Sequence, residues 1–133
     1  MNDDLFDRGL AIRKAVLGAE FVEKSLASAD EFTMPLQELV TEYCWGAVWG
    51  REELPKRIRS MLNIAMLSVL NRPNELKVHV AGALRNGVTK TEIREVLLQV
   101  AIYAGVPCSV DSFRVARESI AEYERAQADG AKG

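Results

Sequence analysis

A single histidine, His79, stands in this chain of 133 residues, and charged residues suited to work on an anion are spaced around it. Arg72, Glu75 and His79 fall at i, i+3 and i+7, so on a helix all three project from one side near its N-terminus. A guanidinium binds a carboxylate through two parallel hydrogen bonds. A carboxylate one turn before an imidazole can orient it and raise its pKa. First-turn amides that lack intrahelical partners add a further place for negative charge. The alternative is a solvated helix face that happens to carry a histidine. The apolar neighbours Val78, Val80, Ala83 and Leu84 weigh against it, because they set His79 beside the core-facing stripe rather than opposite it.

A second group is Trp45-Gly46-Ala47-Val48-Trp49, followed by Arg51. The two indoles stand at i and i+4 on one face, with Gly46 between them permitting close backbone approach. Core or interface packing is the ordinary use of such a pair. The functional alternative is a pocket wall that excludes water. Arg51 suits a helix C-terminus as well as it suits a substrate clamp.

These residues must be placed by helices, because helical periodicity dominates the chain and no window shows strand alternation between hairpin turns. Asp3 and Asp4 open a helix carrying Leu5, Phe6, Leu10, Ile12, Val16 and Leu17, which stops at Gly18. A short helix with Phe21, Val22 and Leu26 closes near Asp30. From Thr33 to Trp49 the residues Leu36, Leu39, Val40, Tyr43, Cys44, Ala47 and Val48 form an apolar stripe expected to face the core. Leu54-Pro55 opens a helix to about Leu70. Asn71-Arg72-Pro73 starts the next, which runs to Asn86 and ends at Gly87. Thr89-Lys90-Thr91-Glu92 has the form of a capping box and leads a helix to Gly105. Pro107 opens the last helix, which gives way to a polar tail over residues 126–133. The expectation is a single all-α domain, a bundle of six to seven helices joined by short loops.

Composition removes several classes of function. The 17 basic and 19 acidic residues are interspersed and nearly balanced, which leaves no electrostatic footprint for nucleic acid. Lys56-Arg57-Ile58-Arg59 is better read as a solvated helix start or a small-anion site. No run approaches the ~18 apolar residues that span a bilayer. The acidic start is unlike a signal peptide, and the two cysteines, Cys44 and Cys108, are in no metal or redox spacing. A cytoplasmic protein with reduced thiols and no metal is the expectation.

The segments WGAVW, LPKRIRSMLNIAML and RPNELKVHVAGALRNGVTKTEIREVLLQVAIYAGVP resemble the γ-carboxymuconolactone decarboxylase family, within the carboxymuconolactone decarboxylase and alkylhydroperoxidase D-like superfamily. The resemblance covers roughly Asp7 to Ala121. Arg57 to Pro107 alone marks the superfamily, and WGAVW points to the decarboxylases. The peroxidase branch carries Cys-x-x-Cys-x-x-x-His. With His79 matched to that histidine, the cysteine positions hold Arg72 and Glu75, neither of which can exchange a disulfide.

The resemblance implies decarboxylation of 4-carboxymuconolactone to 3-oxoadipate enol-lactone and CO2, in the protocatechuate branch of the β-ketoadipate pathway. It implies no cofactor, because the conjugated lactone is itself the electron sink that a cofactor would otherwise provide. On this reading His79 is general acid or oxyanion donor, oriented by Glu75. Arg72 or Arg59 pairs with the spectator carboxylate, and Trp45 and Trp49 shield the departing one. An intramolecular salt bridge explains Arg59 equally well. The resemblance also implies a homo-oligomer, a trimer or hexamer, with no nucleic-acid or membrane partner. The alternatives are a paralogue acting on another lactone or a peroxide, and a non-catalytic helical oligomer.

Overall fold

The computed structural model describes residues 3–132. Met1 and Asn2 of the acidic start, and Gly133 of the polar tail, lie outside them. Among the described residues the fold is all-α: α1 (Asp3–Leu17), α2 (Ala19–Ala27), α3 (Met34–Leu39), a π-helical segment (Val40–Val48), α4 (Lys56–Val69), α5 (Pro73–Arg85), α6 (Lys90–Ala104) and α7 (Val106–Lys132). No helix among them is long and apolar enough to cross a membrane. They fall into two compact units that divide between Lys56 and Arg57.

In the first unit α1 packs along the π-helical segment at the closest approach the chain allows. A Cβ on Gly9 would stand 2.0 Å from the Thr41 carbonyl oxygen, and one on Gly46 would stand 2.7 Å from that of Leu5. Glycine at both positions is therefore a steric requirement. The face packed this way holds Thr41, Glu42, Trp45, Gly46 and Trp49. The expected stripe turns the other way: Leu36, Leu39, Tyr43 and Val48 are each about half exposed or more. Two indoles remove more area from water than the aliphatic stripe does, and only the glycine side admits a neighbouring helix, so the indole side wins. The helix period also changes within this stretch, from the α-helical turn of α3 to the wider π turn.

The second unit is built around Ile64, Leu76, Val80, Ile93, Leu97 and Ile120, drawn from α4 to α7. Each such buried aliphatic contributes about 1.5–3 kcal/mol relative to exposure. Asn71, with φ of 57°, turns the chain from α4 into α5. Asn86 Nδ2 donates to Ser60 Oγ at 2.9 Å and ties the end of α5 to the start of α4. The Thr89–Glu92 capping box forms as read: the Glu92 amide donates to Thr89 Oγ1 at 3.0 Å, and the Thr89 amide donates to Glu92 Oε1 at 2.9 Å. Arg57 pairs with the same Glu92, so one member of the basic cluster closes the α4–α6 contact. Helix α7 packs through small side chains. Ser109 Oγ donates to the Leu97 carbonyl at 2.7 Å and Ser119 Oγ to that of Lys77 at 2.6 Å. The polar tail is not a coil in the described residues: α7 runs through it to Lys132, carried by alanine, arginine, glutamine and lysine, all good helix formers.

Candidate active site

Helix α5 exists because Pro73 fits its first turn, Leu76, Val80 and Ala83 give it a buried stripe, and Asn86-Gly87 ends it. His79 lies at the margin of that stripe, half-buried, as its neighbours in the sequence require. Across from it on α4 stands Asn63, whose Nδ2 lies 3.4 Å from His79 Nδ1. Arg59, also half-buried, is one turn before Asn63 and so shares its face of α4. Glu75 is one turn before His79 on α5 and is exposed.

Burial dominates the electrostatics of the imidazole. Loss of water lowers the His79 pKa from 6.5 to about 4, and the Glu75 carboxylate offsets only part of that. The expected action of Glu75 is thus present but outweighed, and the ring is neutral near pH 7. A neutral imidazole keeps one N–H donor and one acceptor nitrogen and carries no charge.

Arg72 is set apart from this group. It is exposed, stands just before α5, and is about 10 Å along the helix axis from His79, given 1.5 Å per residue. It lines a crevice of about 10 Å3 with Ser68, Leu76, Asp111 and Ser112, room for about one water. Trp45 and Trp49 belong to the first unit. Their rings lie 4.7 Å apart, tilted by 32°, and each is about 3% exposed, so they are core to that unit. In the same unit Arg13 is buried, donating from Nη1 to Gln37 Oε1 at 2.9 Å and to Thr41 Oγ1 at 3.2 Å. Desolvation lowers its pKa, as expected for a cation held out of water. Neither Arg13 nor Asn63 stood out in the sequence. A lone asparagine inside MLNIAML was the available signal for the latter.

Two roomier grooves in the second unit are lined by neither His79 nor Asn63. One, of about 750 Å3, runs between α6 and α7, and three of its cations are paired: Lys90 with Glu124, Arg94 with Glu95, Arg114 with Glu118. The other, of about 540 Å3, is apolar and lies between α4 and α6. Both cysteines are free thiols, and partial loss of water raises the pKa of Cys44, exposed at the surface, with Arg13 partly opposing. A raised thiol pKa is the reverse of what a thiol-based peroxidase needs.

The sequence model of the Carboxymuconolactone decarboxylase family matches residues 35–118. The chain is 44% identical over 116 residues to a nitrosuccinic acid decarboxylase of Metarhizium robertsii, covering 87% of this chain and 81% of that protein. It is 39% identical over 119 residues to a 4-carboxymuconolactone decarboxylase of Acinetobacter baylyi, covering 89% of each. An uncharacterized 15.0 kDa protein of Paracoccus denitrificans is 32% identical over 93 residues, 68% of this chain and 67% of that one.

Proposed function

The chain belongs to the carboxymuconolactone decarboxylase family, and from that premise we propose that it is a cofactor-independent decarboxylase of 4-carboxymuconolactone. The observation that carries the reading is the desolvated, neutral imidazole of His79, faced by an amide and one helical turn from Glu75.

The chemistry asks for such a group. The departing carboxylate is attached to a ring carbon conjugated through a double bond to the lactone carbonyl. As the C–C bond breaks, its electron pair moves through the double bond onto the carbonyl oxygen, leaving a furan-like dienolate and CO2. The dienolate then takes one proton on carbon to give 3-oxoadipate enol-lactone. A donor already fixed at the developing oxyanion stabilises it without reorganising. A dry site further strengthens that hydrogen bond and disfavours the charged carboxylate relative to CO2. His79 takes the role of oxyanion donor, and the bound dianion raises its pKa toward proton transfer. Arg59 is the better clamp for the spectator acetate group, being one turn from Asn63, whereas Arg72 faces a one-water crevice. The two indoles serve the core of the first unit. The working form is a homo-oligomer, a trimer or hexamer.

A second substrate is favoured by the 44% identity to a nitrosuccinic acid decarboxylase. Nitrosuccinic acid also pairs a spectator carboxylate with a carboxylate beside an electron sink, and its CO2 loss leaves a nitronate in place of a dienolate. The same donor serves both. Purified protein is assayed for CO2 release from each acid, with His79→Gln in parallel. The expected outcome is turnover of the lactone, lowered by about 10²–10⁴-fold in the variant, roughly 3–5.5 kcal/mol of barrier. Turnover of nitrosuccinic acid alone replaces the substrate. Unchanged turnover in His79→Gln removes the histidine from the mechanism.

A further inference from the structure

We propose that Asn63 is a positioning residue for His79, donating its side-chain N–H to Nδ1 and thereby holding the neutral imidazole as the tautomer protonated on Nε2. This rests on the reading that His79 meets the substrate, since only then does the choice of tautomer matter to turnover.

The argument begins with the geometry. Asn63 Nδ2 lies 3.4 Å from His79 Nδ1, and the two residues are on different helices, sixteen positions apart, both half-buried. A neutral imidazole has one donor and one acceptor nitrogen, and the bond made by one ring nitrogen decides the state of the other. An amide N–H facing Nδ1 requires Nδ1 to be the acceptor, which leaves the hydrogen on Nε2. Were the amide reversed, with Oδ1 toward the ring, Nδ1 would have to carry the hydrogen and Nε2 would become the acceptor. An acceptor at Nε2 repels a developing oxyanion, whereas a donor binds it. The two orientations therefore differ in sign at the step the site is built for.

Local structure gives Asn63 no other reason to be there. Asparagine is a poor residue for a helix interior, and its neighbours in α4 are methionine, leucine and isoleucine. A partly buried amide needs a partner, and the imidazole supplies it. The α4–α5 pair is held in register by the Asn71 turn at one end and by the Asn86–Ser60 bond at the other. Asn63 and His79 lie between those two ties.

With one histidine in the chain, the imidazole nitrogens give a single set of signals in ¹⁵N NMR. Spectra of the labelled, ligand-free protein at neutral pH are compared with those of Asn63→Leu and Asn63→Asp, circular dichroism reporting folding. The expected wild-type result is an unprotonated, pyridine-type Nδ1 and a pyrrole-type Nε2. Asn63→Asp, whose carboxylate can only accept, should move the hydrogen to Nδ1, and Asn63→Leu should give mixed tautomers. Turnover in both variants should fall by about 10–100-fold, as when an orienting partner of a histidine is removed, with KM little changed. A pyrrole-type Nδ1 in the wild type overturns the proposal, even if neither variant folds. So does a tautomer that stays the same in both folded variants. The NMR result is independent of substrate, so it stands or falls separately from the decarboxylase reading. If His79→Gln keeps full turnover while the tautomer follows Asn63, the function has failed and the positioning has not.

Discussion

His79 is held neutral by its surroundings, and that has a thermodynamic consequence apart from catalysis. The unfolded chain takes up a proton on this imidazole near pH 6.5, and the folded protein resists it until about pH 4. Between those values the unfolded state binds more protons, so stability must fall as the pH drops through the window. The largest loss from this one group is about 3 kcal/mol, the 1.36 kcal/mol per pH unit of linkage taken over the interval. Urea unfolding of wild type and His79→Gln at a series of pH values from 4 to 7 separates this group from the carboxylates. The expected outcome is a shallower pH dependence in the variant across that range; parallel curves would mean that the imidazole is not desolvated in the fold. The sequence led to His79 and Glu75 through spacing, and the i, i+4 relation does place Glu75 where it opposes the downward shift. Spacing alone could not show that burial outweighs the carboxylate, because that depends on what α4 lays against α5. Asn63 was hidden for the same reason.

Helix ends were legible because their causes are local. Pro73 in a first turn, the Thr89–Glu92 box and the glycine at 87 each act within a few residues, and each delimits a helix as read. The stretch from Met34 to Val48 failed at a different level, that of which side is covered. Its aliphatic stripe satisfies helical periodicity as well as its indole side does. The choice between them was made by α1, thirty residues earlier, through Gly9. Gly46 was read as permitting close approach, and it does; the overlooked small residues were its counterpart Gly9 and the serines of α7. The test is Gly9→Ala. Its methyl would meet the Thr41 carbonyl at 2.0 Å, a contact with backbone that no rotamer relieves. Overpacking of this kind costs about 1–3 kcal/mol, and the absence of a flexible neighbour puts this site at the upper end. Thermal or urea unfolding should show a loss of about 3 kcal/mol. A neutral or stabilising Gly9→Ala would mean that α1 and the π-helical segment are not packed at this distance in solution.

The two units leave a large amount of apolar side chain in water. On the first, Leu36, Leu39, Tyr43 and Val48 form the outward stripe already described. On the second, Leu62, Met66 and Val69 of α4 and Leu70 just after it are exposed, as are Leu98, Ile102 and Tyr103 of α6, the last two by 80% and 85%. The apolar groove of about 540 Å3 between α4 and α6 opens among them. Monomeric proteins scatter exposed apolar residues singly and seldom leave a contiguous patch of more than a few hundred Å2. Burying such a face against another copy of itself is the usual remedy, and closed symmetric assemblies are its commonest result. The net charge of −2 offers little repulsion against it. Sedimentation or light scattering should therefore find the wild-type chain as an oligomer, and the family resemblance sets the expected species as a trimer or hexamer. Ile102→Glu supplies the control, because a carboxylate at an 80%-exposed position costs an isolated chain almost nothing. Inside an interface it leaves a desolvated charge on every copy. The expected outcome is a smaller species with unchanged helix content. A wild-type chain that sediments as a monomer would return those faces to solvent and leave their composition without a physical reason.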